Sequence, residues 1–208
     1  MRNGRHTLAP AHRAETPESY GVGRRFQHLI GVTLATTKLV FEGRCWKFGD
    51  HIPTDMITPT HIMFKTAKEM AAFVLETVNP DFPKHVKPGD ILVAGRNFGC
   101  SSGRALAAKA LQATGIGAVV AELFSRTFYR NGHEIGLPLL EAPGVHALVE
   151  DGDRLRVDVR AGTLENLTSG KSLVSKAPSA FLLEMLESGG LIPLLKSGSS
   201  GLFQKGIP

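Results

Sequence analysis

The sequence predicts one α/β domain built on a central parallel or mixed sheet, and three observations carry that prediction. Two short apolar runs, at 90–94 and 117–121, flank an alanine-rich stretch at 102–114 with helical spacing, which is the strand–helix–strand order of a βαβ unit. The 117–121 run, Gly117-Ala118-Val119-Val120-Ala121, is apolar throughout, as in a strand covered on both faces. By contrast, Leu155, Val157 and Val159 alternate with polar residues, the pattern of a half-exposed strand that would add mixed β structure to the same sheet.

Element by element, residues 38–48 suit paired strands, with Gly43 marking a bulge or tight turn. The segment 49–59 carries Pro53 and Pro59 and is expected as an ordered loop rather than a helix. Ala67, Met70, Ala71, Val74 and Leu75 share one helical face and predict a helix over 66–77, which Asn79-Pro80-Asp81-Phe82-Pro83 breaks. Lys87-Pro88-Gly89-Asp90 turns the chain into the 90–94 strand, and a glycine-rich turn, Gly95 to Gly103, leads into a helix over 102–114 closed by Gly115. A short helix at 125–131 ends at Asn131-Gly132, a strand follows at 137–140, and the last helix, 179–188, ends at Gly189-Gly190.

Composition narrows the function classes. Hydrophobic residues make up 42% and charged residues 21% of the 208, the balance of a soluble globular domain. No apolar run approaches the roughly 20 residues that cross a bilayer, so no membrane partner is expected. The net charge is +5, of which residues 1–30 supply +3 through Arg2, Arg5, Arg13, Arg24 and Arg25 against Glu15 and Glu18. The rest of the chain has no basic stripe with interleaved aromatics, and no nucleic-acid partner is expected. Residues 1–30 lack the apolar core of a secretory signal and read as a disordered basic extension, ahead of a domain at 31–196 and a flexible Gly/Ser-rich tail at 197–208. Two cysteines, Cys45 and Cys100, form no disulfide framework and suit a reducing, cytoplasmic compartment. His51, His61, His85, His133 and His146 show no metal-ligand spacing, so no metal site is expected.

The chemistry concentrates in Gly95-Arg96-Asn97-Phe98-Gly99-Cys100-Ser101-Ser102-Gly103-Arg104. A strand, a glycine-rich turn and a helix start point backbone N–H groups at an anion. Ser101 and Ser102 are good helix caps, and one of them is equally placed to act as a base or nucleophile if positive potential stabilises its alkoxide. Arg104 is a surface arginine or a bidentate clamp for a carboxylate. Asp55 is either an Asx turn or an acid or acceptor beside a substrate, with Thr58 as a donor from the same loop. Cys100 is more often a small buried residue in such a position than a nucleophile. Trp46, Phe128 and Tyr129 read as packing.

These residues closely resemble the small subunit of 3-isopropylmalate dehydratase (isopropylmalate isomerase), the swivelling domain of the aconitase superfamily. The likeness extends to Gly49-Asp50-x-Ile52-x-Thr54-Asp55-x-Ile57-x-Pro59, to Ala121-x-x-Phe124-Ser125-Arg126-x-Phe128-Tyr129-Arg130-Asn131, to Ile135-Gly136-Leu137-Pro138-Leu139 and to the closing helix 182–192. It covers roughly residues 38–196 with the motifs in order.

The resemblance implies a swivelling β/β/α fold and a heteromeric hydro-lyase that interconverts 2- and 3-isopropylmalate in leucine biosynthesis. It also implies a separate large subunit carrying a [4Fe–4S] cluster, and a small dicarboxylic acid as substrate. By alignment Ser102 is the base that takes the carbon-bound proton and Arg104 binds a carboxylate. Asp55, Thr58, Ser101 and Cys100 match positions near the substrate. His61, Ile62 and Met63 fall where the family discriminates substrates; with no arginine there they suit an apolar substituent, although Lys65 follows. Four departures stand out: the family's usual run after the cysteine is Gly-Ser-Ser-Arg-Glu, here Ser101-Ser102-Gly103-Arg104-Ala105, and Pro53 replaces a usual aspartate. The alternatives are a hydratase for another substituted malate (dimethylmalate, methylcitrate or homoaconitate type), or a non-catalytic module that only binds a large subunit.

Overall fold

The computed structural model describes residues 39–198; the expected extension at 1–30 and the tail from 199 onward lie outside the described residues. Seven strands form one sheet in the order β4-β3-β2-β1-β5-β6-β7: β1 (Val40–Lys47), β2 (Ile91–Phe98), β3 (Ala118–Phe124), β4 (Leu139–Glu141), β5 (Arg154–Asp158), β6 (Thr163–Asn166) and β7 (Ser172–Val174). The pairs β1/β2, β2/β3 and β3/β4 are parallel, in register Cys45↔Ile91, Leu92↔Val119 and Val119↔Leu139. On its other edge β1 pairs antiparallel with β5, and β5, β6 and β7 continue as a meander. The sheet is therefore mixed, as predicted, with the βαβ unit of β2 and β3 in its parallel half.

Alternating residues of the parallel strands face two cores. Trp46, Leu92, Ala94, Val119, Ala121 and Leu139 point to one side, where α4 (Leu106–Ala113) and α5 (Arg126–Glu134) pack through Ala107, Ala108, Leu111 and Phe128. Cys45, Ile91, Val93, Ala118, Val120 and Leu140 point to the other, against Val145 of α6 (Val145–Leu148) and Leu186 of α7 (Ala180–Glu187). Burial on both faces is why these strands read as uninterrupted apolar runs. A buried carboxylate joins β1 to the turn before β2: Asp90 accepts from Trp46 Nε1 at 3.0 Å, Lys87 N at 2.9 Å and Arg44 N at 3.2 Å.

Several elements differ from expectation. Residues 40–47 form one continuous strand rather than a pair, and Gly43 serves close approach instead of a turn: a Cβ there would sit 2.5 Å from Gly89 O. The double-proline loop holds a one-turn helix, α1 (Thr54–Ile57), because Pro53 precedes its first residue and so removes no internal hydrogen bond. The helix expected over 66–77 is cut to α2 (Ala67–Met70) and a 3₁₀ turn at Ala71–Phe73. Val74 then goes extended and Leu75 left-handed (φ 59°), so that both side chains are buried and Leu75 N donates to Ile57 O at 3.1 Å. Packing outweighs local helical propensity there. A further turn of helix, α3 (Phe82–His85), occupies the segment read as a breaker, and α5 runs through Gly132 to Glu134. The β6–β7 hairpin, α6 and a last helix α8 (Leu191–Ser197) were not predicted from sequence. Helix α8 carries ordered structure to Ser197, with Gly198 left-handed (φ 62°) at its end. Among the described residues no helix is long and apolar enough to cross a membrane.

Candidate active site

Parallel strands bring their carboxyl ends to one edge, and the loops leaving that edge are where an open α/β sheet places a ligand. Here the loop after β1 runs alongside the end of β2. Phe48 N donates to Val93 O (2.8 Å), His51 N to Arg96 O (2.7 Å), Gly99 N to Ile52 O (2.8 Å) and Thr54 N to Cys100 O (2.9 Å). This zipper carries β2 to Phe98, well past the predicted end at Ala94, with a register irregularity between Arg96 and Phe98 and Asn97 left-handed at φ 62°.

The turn at 99–105 is pinned from its far side by α5. Ser125 caps that helix, accepting from Phe128 N at 3.3 Å, while its hydroxyl donates to Gly99 O at 2.6 Å. Asn131 Nδ2 donates to Gly103 O at 3.0 Å. These bonds hold Ser102–Ala105 out of helical register, and α4 begins only at Leu106, with Ala105 at its cap position and no side-chain cap. Ser102 and Arg104 therefore sit ahead of the helix rather than in its first turn, and neither caps it. Behind the turn, Phe98, Phe124 and Phe128 make mutual edge and stacked contacts at 5.3–6.1 Å. Burial, with the Glu141 charge, pushes the adjoining Tyr129 phenol up to about 12, so it stays protonated.

A cleft opens between α1, the turn and α4, lined by Thr54, Asp55, Thr58, Met63, Ser102, Arg104, Leu106 and Ala107. Of the sequence-predicted site residues, Asp55, Thr58, Met63, Ser102 and Arg104 thus share one cleft. Thr58 Oγ1 is buried with no partner among the described residues, a hydroxyl free to meet a ligand. Arg104 is exposed, and no carboxylate or hydrogen bond engages its guanidinium among the described residues. Asp55 is exposed at the start of α1.

The other predicted residues stand apart from the lining. Ile62 is 1% exposed and belongs to the core, so it offers no surface to a solute, a correction to its place among the specificity residues. His61 is exposed, its ring edge-on to Phe73 at 6.3 Å. Cys100 is half-buried beside the cleft, and Ser101 is exposed in a left-handed conformation (φ 81°). Sequence reasoning missed Thr54, whose hydroxyl lies 2.8 Å from that of Ser102. The signal for it was the i, i+4 pair Thr54 and Thr58, which puts two hydroxyls on one face of a helical turn; the expectation of a helix-free loop hid that pair. Gly103, in place of the family's second serine, leaves room: a Cβ would meet only Thr127 Cγ2, at 3.3 Å.

This chain does not hold an iron–sulfur cluster by itself. Such a cluster takes about three or four thiolates, whereas Cys45 is buried, its thiol pushed up to about 12 by burial and by Asp151 and Asp153, and Cys100 lies elsewhere. Among the described residues no group of His, Cys, Asp and Glu is placed to hold a metal ion.

Comparison with known proteins agrees with this architecture. The aconitase C-terminal domain family matches residues 58–143. The isopropylmalate/citramalate isomerase small subunit of Methanocaldococcus jannaschii is 46% identical over 158 residues, covering 76% of this chain and 94% of that protein. The 3-isopropylmalate dehydratase small subunit 1 of Methanopyrus kandleri is 43% identical (79% and 98% covered), and the methanogen homoaconitase small subunit of Methanothermobacter thermautotrophicus 44% (74% and 89%). The crystal structure of 3-isopropylmalate dehydratase from Methanocaldococcus jannaschii superposes with a TM-score of 0.73 at 36% identity, over 80% of this chain and 99% of that one. With the site's motifs in place and such relatives matched over nearly their whole length, the chain belongs to the 3-isopropylmalate dehydratase small-subunit family.

Proposed function

We propose that this chain is the small subunit of a hydro-lyase that interconverts 2- and 3-isopropylmalate through isopropylmaleate, acting in the cytoplasm with a large subunit that carries a [4Fe–4S] cluster. Residues 31–196 serve as its swivelling domain. The observation that carries the reading is the cleft itself, lined by the Ser102 hydroxyl together with an Arg104 guanidinium and a Thr58 hydroxyl that have no partner among the described residues.

Dehydration removes a proton from one carbon and hydroxide from its neighbour, and the C–H electrons become the double bond. In this chain Ser102, as the alkoxide, takes the proton and returns it to the other carbon on rehydration. Arg104 grips a substrate carboxylate with its planar fork, which holds the C–H bond toward Ser102. Thr58 donates to a second substrate oxygen, and Asp55 accepts from a hydroxyl at the mouth. Departure of hydroxide is left to the partner subunit, since among the described residues no group of side chains is placed to hold a metal ion for it.

For the substrate's side group, Met63, Leu106 and Ala107 give the cleft an apolar wall, and Phe64 next to it is 95% exposed. That lining favours an alkyl substituent over a third carboxylate. Relatives whose names cite citramalate and homoaconitase mark the other malates to compare.

The test is ultraviolet detection of isopropylmaleate from 3-isopropylmalate by this chain assembled with the large subunit from its own organism. Product that vanishes with Ser102→Ala supports reaction and base together. An intact complex that is silent with 3-isopropylmalate but turns over another substituted malate reassigns the substrate. Silence with all of them favours the non-catalytic module.

A further inference from the structure

We propose that Thr54 is a positioning residue for the proton-transfer step: its hydroxyl is the fixed donor that aims Ser102 and stabilises it when ionised. The inference rests on the reading of Ser102 as the base.

Thr54 is only 5% exposed, and its hydroxyl lies 2.8 Å from Ser102 Oγ across 48 residues of sequence. Its main-chain N–H is committed to Cys100 O at 2.9 Å. The first residue of α1 thus grips the turn twice, once through the backbone just before Ser102 and once at the Ser102 side chain. Asn131 holds Gly103 O from the other side, so the backbone around Ser102 is pinned on both flanks. Thr54 is β-branched and therefore stiff at χ1, which keeps its oxygen in place. The other neighbour of Ser102 Oγ, the Arg104 N–H, is 3.5 Å away.

The chemistry sets the direction of this bond. With both hydroxyls neutral, either oxygen can donate. Once Ser102 has lost its proton it can only accept, so Thr54 must donate. The contact then becomes a charge-assisted hydrogen bond, shorter and roughly twice as strong as the neutral one. A bond that strengthens on ionisation lowers the free energy of the alkoxide relative to the resting serine. The Thr54 methyl alone, as mere packing, would have no such effect.

The experiment uses the assembled two-subunit enzyme and follows dehydration of 3-isopropylmalate across pH for wild type, Thr54→Val, Thr54→Ser and Ser102→Ala. Valine keeps the shape and removes the donor. Thr54→Val is expected to lower kcat by about 100-fold, the scale for losing one preorganised donor, with KM within about threefold of wild type. The rising limb of kcat against pH should move to higher pH, and Thr54→Ser should recover activity to within about fivefold. If Thr54→Val fails to assemble, Thr54→Cys, similar in size with a weak donor, reads the same two quantities. An assembled Thr54→Val enzyme with unchanged kcat and an unmoved pH limb overturns the proposal, and with Ser102→Ala inactive it leaves the base assignment standing. Activity in Ser102→Ala overturns the base assignment and this proposal together.

Discussion

Gly99 and Phe128 are in direct apposition: a Cβ built on Gly99 would lie 2.5 Å from both Cβ and Cδ2 of the Phe128 ring, and φ at this position is +75°. The turn carrying Ser102 is thereby seated against α5 with no atom between backbone and ring, and the Ser125 bond to Gly99 O closes the same contact.

Gly99→Ala is accordingly expected to destabilise the fold by about 3 kcal/mol, the sum of left-handed strain and an overpacked contact. Urea unfolding of the isolated chain measures it. Activity should fall as well, because relief of the clash moves the turn away from α5; a stability within about 0.5 kcal/mol of wild type would show that the ring can simply swing aside.

Ser101 is a left-handed residue with a side chain (φ 81°) where the family usually has glycine. Ser101→Gly removes steric strain of about 1 kcal/mol and adds chain entropy that offsets part of it. The expected result is a gain of about 0.5 kcal/mol in urea unfolding with kcat retained. A loss of stability would mean that the serine contributes a contact outweighing its strain.

Arg104→Lys should lose about 30-fold or more in kcat/KM, since a point charge replaces one bidentate pair of charge-assisted bonds. The side chain is exposed and no hydrogen bond or ion pair engages its guanidinium among the described residues, so the melting temperature should stay within about 1 °C. Unchanged kinetics would remove Arg104 from the carboxylate-binding role.

His133 gives a pH signature. It is fully buried, its ring lies against Tyr129 at 4.4 Å, Nδ1 donates to Tyr129 O at 2.8 Å, and Nε2 has no partner among the described residues. Burial holds its pKa below the usual 6.5, against a small opposing pull from the Tyr129 carbonyl. The unfolded chain therefore binds a proton that the folded chain refuses. His133 contributes stability above about pH 6.5 that is lost as the pH falls from there toward the lowered folded-state value. Melting temperatures from pH 7.5 to 5 should drop more steeply for wild type than for His133→Gln, and parallel curves would refute the assignment.

The sheet's parallel core was legible because its strands are buried on both faces, and Val119, Val120 and their neighbours advertise that directly. The short elements were not. Val74 and Leu75 sit in a helical pattern and leave it only because the core beneath Ile57 takes both side chains. Pro53 read as a helix excluder, although one residue upstream of α1 it starts the helix. Within the site, Ser102, Arg104, Asp55, Thr58 and Met63 were readable from motifs and do share a cleft. Thr54 was not singled out: its i, i+4 pairing with Thr58 was hidden by the helix-free reading of the loop, and its contact with Ser102, 48 residues away, has no local signature. Ile62 was misplaced because adjacency to Met63 says nothing about which of two neighbours on a 3₁₀ turn faces inward.

Strand β1 is the first of the described strands and the middle strand of the sheet, parallel to β2 on one edge and antiparallel to β5 on the other. The partner of Val40 is Asp158, which the ribosome adds only when most of the domain has already been made. Until then one edge of β1 has no ladder to join, and such long-range pairing is slow and prone to association with other chains. The order of synthesis thus makes β1, the earliest of the described strands, among the last to be completed, and places this subunit's greatest exposure to misassembly before its C-terminal meander has emerged.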